Sequence, residues 1–158
     1  MKKSLKIGIC FGITSGIITT LGLMVGLTAG TNSRLAVIGG ILTIAIADAF
    51  SDALGIHISE ESDKKNSEKA IWESTIATFL AKFVFAMTFV VPVLLFSLQT
   101  AIFTNIIWGL SALSVLSYIV AKQQHESKFK AVSEHLGIAI LVIISTYYVG
   151  EWIAKTFL

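Results

Sequence analysis

Charge is scarce in this chain. Asp, Glu, Lys and Arg make up 14% of its 158 residues, against about 25% in an ordinary soluble domain. Hydrophobic residues make up 54% and the mean hydropathy is +0.81. A soluble domain is excluded, and a polytopic membrane protein is the class that remains. There is one proline, so few helix breaks are expected. There is one cysteine, Cys10, which excludes an internal disulfide and any CxxC redox or zinc motif. The formal net charge is only +2, and no basic run is interleaved with aromatics, so no nucleic-acid partner is expected. GxSxG, HExxH and Walker patterns are all missing. Nothing argues for hydrolytic or phosphoryl-transfer chemistry, and the chain is not read as an enzyme.

What the chain has in quantity is apolar runs of helix length. Unpaired backbone groups are too costly in hydrocarbon for anything but helices or closed barrels. The runs do not alternate with period two, so the fold class is all-α. A single domain, residues 1–158, divides into five spans at about Ile7–Ala29, Leu35–Ile58, Ile71–Leu98, Thr100–Ala121 and Ser133–Phe157. The stretch Ser59–Lys69 is a short cytoplasmic loop. Basic residues set the orientation. Lys2, Lys3, Lys6, Lys64, Lys65, Lys69, Lys122, Lys128 and Lys130 fall on one side, and Arg34 and Lys155 on the other. Nine against two puts the N-terminus inside and the C-terminus outside. The basic start followed by an apolar run resembles a signal peptide, but the run is longer than a typical h-region, so it reads as the first span.

Glycine recurs every four residues in span one, at Gly8, Gly12 and Gly16 and again at Gly22, Gly26 and Gly30. Such spacing lets helices approach closely in lipid, either within the chain or across a dimer.

Two aspartates stand inside span two, where there is no other Asp, Glu, Lys or Arg. A carboxylate at bilayer depth costs roughly 2.5–3.5 kcal/mol on insertion scales, so such residues face a bundle interior or a watery cavity. Asp48 and Asp52 are one helical turn apart and share a stripe with Ser51, Gly55 and Ser59, while His57 falls on nearly the opposite side. Span one offers Ser15 and Thr19 as hydroxyl ligands suited to a hard cation, and Met24 as a soft thioether. Lys82 lies inside span three. Counted from the cytoplasmic ends, Asp48 and Lys82 are both about 15–17 Å deep. Equal depth on consecutive helices predicts an ion pair, either a structural bridge or part of a transport site. Asp52 is then expected to stay free to bind a cation or to titrate. Glu60, Glu61 and Asp63 form an acidic cluster at the cytoplasmic exit, a solvated charge run that also suits the gathering of cations. Ser111, Ser114 and Ser117 on span four are expected to bond to helix backbone. His135 and Glu134 lie near the cytoplasmic interface.

Four segments resemble the vacuolar iron transporter family. FGITSGIITTLGLMVGL (Phe11–Leu27) is similar to its first-span pattern, roughly FGxNDGxVTTxxLVxGL. ADAFSDALGIHIS (Ala47–Ser59) is similar to its second-span pattern, roughly AGALSMxxGEYxS. Pro92 with Phe96 resembles the PxxPF end of its third span, and Gly137 through TYYVG (Thr146–Gly150) resembles its fifth. The resemblance implies a five-span, N-inside dimer with its pore between two copies of span one. It also implies that ferrous iron or manganese leaves the cytosol in exchange for protons. The departures are specific. Thr14-Ser15 stands where the family has Asn-Asp, Asp52 replaces a methionine, and Ile56 replaces the glutamate after the glycine. The cytoplasmic metal-binding insert is reduced to Ser59–Lys69, and Asp48 and Lys82 are additions. A carboxylate in place of a thioether hardens the site toward manganese or another oxygen-preferring ion.

The leading expectation is therefore a homodimeric iron or manganese transporter in a prokaryotic plasma membrane. It holds no permanent cofactor, and the divalent metal is its cargo. Asp48, Asp52, Ser15, Thr19, Ser51 and Met24 are the candidate metal ligands, with Lys82 and Asp52 as counter-charge or proton partners. Two alternatives stay open: a non-transporting membrane protein with a buried Asp/Lys network, and a proton or monovalent-cation pathway.

Overall fold

A computed structural model describes residues 2–157. Six helices follow one another: α1 (Lys3–Thr31), α2 (Arg34–Ser62), α3 (Glu68–Thr88), α4 (Val90–Leu95), α5 (Leu98–Gln124) and α6 (Lys128–Phe157). There is no strand among the described residues. Five segments are long and apolar enough to cross a membrane, α3 and α4 together forming the third, Glu68–Leu95. Five such segments are expected from the sequence; four of them run beyond the expected stretch at one or both ends, while the third ends at Leu95 and Leu98, its expected last residue, begins α5 instead.

The helix ends follow local chemistry. Ser33, Ser67 and Ser97 are N-caps, and each side-chain oxygen accepts the backbone N–H three residues on. α1 and α5 end on Asn32 and His125, both in the left-handed region at φ 47° and 58°. Connections this short make sequential spans run antiparallel. Arg34 also ties two of them together, its guanidinium donating to the Phe96 carbonyl at 2.6 Å.

The single proline explains the only interruption among the described spans. Pro92 has no N–H to offer the carbonyl four residues back, and the helix breaks at Phe89. Phe89 keeps helical dihedrals, φ −72° and ψ −19°, so the third span loses hydrogen bonds there without turning back. The Asn105 side chain reaches across from α5 and donates to the Phe89 carbonyl at 2.9 Å.

α1 is the centre of the bundle, packed against α2, α3, α5 and α6. Its six glycines fall within about a 120° arc at 3.6 residues per turn. Both ladders are used within the chain. Gly8, Gly12 and Gly16 lie against the Ser74–Lys82 backbone of α3, and Gly22, Gly26 and Gly30 against Val142, Thr146 and Gly150 of α6. One face of α1 thus receives α3 near its start and α6 near its end, both running parallel to it. Ile17, Leu21, Met24, Val37, Ile41, Phe89, Val93 and Leu113 make the apolar core around it. The outward surface is also apolar, with Phe50, Leu54, Val84, Phe103, Leu141 and Tyr148 all exposed, as a lipid-facing surface requires.

Candidate functional site

The close approach of α3 to the glycine face brings Lys82 into the bundle. A methyl group at Gly12 would meet the Thr78 carbonyl oxygen at 2.5 Å, and one at Gly16 would meet the Lys82 carbonyl oxygen at 3.3 Å. Side chains at these positions would hold the two backbones apart. With glycine there, the Lys82 side chain is 1% exposed. Lys82 is the one buried Lys or Arg side chain among the described residues, so the partners of its ammonium decide the chemistry.

Three oxygen atoms converge on it. Lys82 Nζ donates to Asp52 Oδ2 at 2.5 Å and to Ser15 Oγ at 2.9 Å. Asp48 Oδ2 is also 2.5 Å away, off the line of a hydrogen bond, so that contact is coulombic. The predicted Asp48–Lys82 pair is present. The expectation that Asp52 stays free is corrected, because Lys82 lies between the two carboxylates. Counting depth along a helix gave the first pair. It carries no information on azimuth, and azimuth is what lets a single ammonium reach both acids.

The cluster is asymmetric toward its surroundings. The Asp48 and Asp52 side chains are 29% and 19% exposed. They border an open flank of α2 where Ser51 and Gly55 are exposed, and a methyl on Gly55 would touch nothing within 4 Å. With both acids ionised the cluster carries one net negative charge.

The remaining predicted ligands divide. Ser15 is in the cluster. Thr19 is one turn away, and its hydroxyl donates to the Ser15 carbonyl at 2.8 Å, which leaves its lone pairs free. Ser51 is on the flank and makes no bond to the cluster. Met24 is not part of the site. It lies nine residues beyond Ser15, roughly 13 Å along the helix. It is fully buried, with Asn105 Nδ2 3.8 Å from its sulfur. The acidic group Glu60, Glu61 and Asp63 shapes the α2–α3 turn. Glu60 accepts from Asn66 Nδ2 at 3.2 Å, Asp63 accepts from the Lys65 amide at 3.0 Å, and Glu61 is exposed. Among the described residues, no three His, Cys, Asp or Glu side chains converge so as to enclose a metal ion.

Several polar contacts carried no signal in the sequence. Glu73 clamps the start of α1, accepting from Lys2 Nζ at 2.6 Å and from Ser4 Oγ at 2.8 Å. His57, set apart from the aspartate stripe by its helical angle, meets Thr75 at 2.9 Å. Ser114 and Ser117 donate to the carbonyls of Leu110 and Leu113 at 2.7 Å, as expected, but Ser117 also meets His135 Nδ1 at 2.7 Å.

Neither a protein-family model nor a curated protein sequence matches this chain. The reading of the site therefore stands on its own donors, charges and exposure.

Proposed function

We propose that the protein is an integral membrane cation transporter in which the cargo ion competes with Lys82 for the Asp48/Asp52 pair. The observation that supports this is the convergence of Asp48 Oδ2, Asp52 Oδ2 and Ser15 Oγ on one positive charge, all within 2.9 Å of it and inside the spans. An ammonium so placed is a tethered occupant of a cation site. A divalent ion that enters displaces it, and the side chain returns when the ion leaves. The donors are all oxygen, which favours a hard ion such as manganese over a thiophilic one, with ferrous iron next. Export from the cytosol in exchange for protons is the direction that the resemblance suggests, and carboxylates released by Lys82 are the groups that would carry those protons.

The same reading includes a homodimer. Ionised carboxylates 29% and 19% exposed on a lipid-facing flank are costly. A second copy laid against the flank of Ser51 and Gly55, with Ser15 and Thr19 of α1 behind it, would close a polar cavity around the two clusters.

A second reading has its own support: Lys82 already pairs with both carboxylates and neutralises half of their charge, and such a network specifies helix register without moving any ion. Reconstituted liposomes separate the two. Saturable manganese flux, lost in Asp52→Asn, supports transport. No flux of manganese, iron, cobalt or protons supports the structural network. Proton or monovalent flux that metal neither drives nor inhibits would replace the metal cargo with a simple cation pathway.

A further inference from the structure

Where α1 and α3 run side by side, a furrow of about 610 Å³ lies along the seam. Its floor is Ala77 and Ala81, small residues set against Gly8 and Gly12. Leu5, Ile9 and Ile13 of α1 form one wall, and Ile76, Leu80 and Val84 of α3 the other. Ile76, Leu80 and Val84 are all exposed, so the furrow belongs to the outward apolar surface. It extends from Glu73 to Phe85, about 18 Å along α3. Half of a bilayer's hydrocarbon core is about 15 Å, so the furrow has the length of one leaflet's acyl chain. Both walls begin on a lysine: Lys2 is one turn before Leu5, and Lys69 one turn before Glu73.

We propose that the furrow binds an anionic phospholipid, with an acyl chain in the trough and the phosphate at Lys69 and Lys2. The one charged lining residue, Glu73, accepts from Lys2 Nζ at 2.6 Å and from Ser4 Oγ at 2.8 Å, and Lys69 is near enough to act on it electrostatically. An ammonium has three donors. Lys2 gives one of them to Glu73 and is still 61% exposed, and Lys69 is exposed as well. Lys2, Lys3, Lys6 and Lys69 outnumber Glu68 and Glu73 at this end of the two helices, so the field there is positive. A choline headgroup brings a cation of its own to the lysines, so a headgroup of net negative charge is preferred. A second copy of the chain is the poorer occupant. Helices approach one another in lipid over small residues, and here Ile9, Ile13, Leu80 and Val84 stand as rims that keep a helix backbone off the alanine floor while admitting a single chain. The lipid bridges α1 and α3, the two helices whose approach places Lys82 beside Ser15. This inference needs the spans to lie in a bilayer and does not depend on transport by the Lys82 cluster.

The test uses the purified full-length protein in detergent, with phosphatidylglycerol and phosphatidylcholine of the same acyl chains as probes and native mass spectrometry as the readout. Phosphatidylglycerol is expected to bind about fivefold more tightly than phosphatidylcholine, and inorganic phosphate is expected not to displace it. Lys69→Gln is expected to remove the preference. Lys122→Gln, at the same end of the bundle on α5, is expected to keep it, and each variant's melting temperature confirms that it is folded. A phosphatidylglycerol with a photoreactive acyl chain is expected to label Leu5–Ile13 and Ile76–Val84. The proposal is overturned if the two lipids bind equally, if inorganic phosphate displaces the lipid, if Lys122→Gln lowers the preference as much as Lys69→Gln, or if the label spreads evenly over α5 and α6. It is also overturned if Val84→Cys, in a Cys10→Ser background, cross-links between copies in liposomes, which would assign the furrow to a second copy.

Discussion

Lys82 and Asp52 are thirty residues apart in sequence and 2.5 Å apart in space. The contact depends on a backbone feature of a third helix. Glycines on α1 admit α3 closely enough for Lys82 to lie beside Ser15, and α2 then closes over it with Asp52 and Asp48. The cluster thus belongs to the mutual fit of three helices, and small changes in that fit should be felt in its charge balance.

Removing the ammonium alone should be severe. Lys82→Met leaves two carboxylates close together inside the spans with no counter-charge. Breaking a buried ion pair from one side costs about 3–5 kcal/mol, whereas replacing the whole network by neutral groups is often neutral or better. The triple variant Lys82→Met, Asp48→Asn, Asp52→Asn should therefore melt near the wild type in detergent, and the single variant well below it. Equal loss in both would mean that packing of the Lys82 stem matters and its charge does not.

Two glycines should respond in opposite ways to alanine. At Gly12 the new methyl would lie 2.5 Å from the Thr78 carbonyl and 3.0 Å from the Lys82 amide nitrogen, both backbone atoms. α3 has to shift, at about 1–3 kcal/mol, and Lys82 moves with it. Gly55 has open space, so Gly55→Ala should be neutral or gain up to about 1 kcal/mol in helix propensity. If Gly55→Leu leaves melting of the detergent-solubilised monomer unchanged but abolishes self-association in lipid, as cross-linking would report, the flank is the dimer surface.

Spans were legible because hydropathy is a one-dimensional property, and so was the depth that paired Asp48 with Lys82. Placement around the helix axis was not. Met24 shares a helix with Ser15 and looks like a ligand on paper, yet its sulfur faces Asn105. The glycine ladders announced close packing without naming the partner, because α3 and α6 offer equally small or backbone surfaces. The single proline announced few breaks and Pro92 accounts for the one in the third span, but the side chain that bonds beside it comes from a different helix, at Asn105, where no local pattern points to it.

Asn105 should prove to be structural. Its side chain is fully buried and donates to the Phe89 carbonyl, next to the Thr88 carbonyl that Pro92 leaves without its helical donor. Asn105→Leu removes that donor beside the break, at about 0.5–1.5 kcal/mol. The loss is moderated because Asn105 Oδ1 has no partner to lose. Asn105→Asp should be worse, since an ionised carboxylate would then oppose the carbonyl in the apolar core. Melting temperatures in detergent order the three as wild type, leucine, aspartate from highest to lowest. A leucine variant as stable as the wild type would show that the break needs no cap.

Ser15 offers the sharpest test of what the cluster is for. Its hydroxyl accepts from Lys82 Nζ at 2.9 Å, so a carboxylate at this position lies within reach of the same charge. Ser15→Asp takes the cluster from one net negative charge to two. If Lys82 is a tethered stand-in for a cargo ion, the added acid should favour a divalent ion over a monovalent ammonium, and manganese should bind more tightly to the variant than to the wild type in calorimetry on the detergent-solubilised protein. If the network serves only to hold three helices, the third acid has no ion to recruit. It then adds like-charge repulsion at bilayer depth, lowers the melting temperature and leaves manganese binding absent. The two outcomes move in opposite directions, so the one substitution tells a transport site from a fastening.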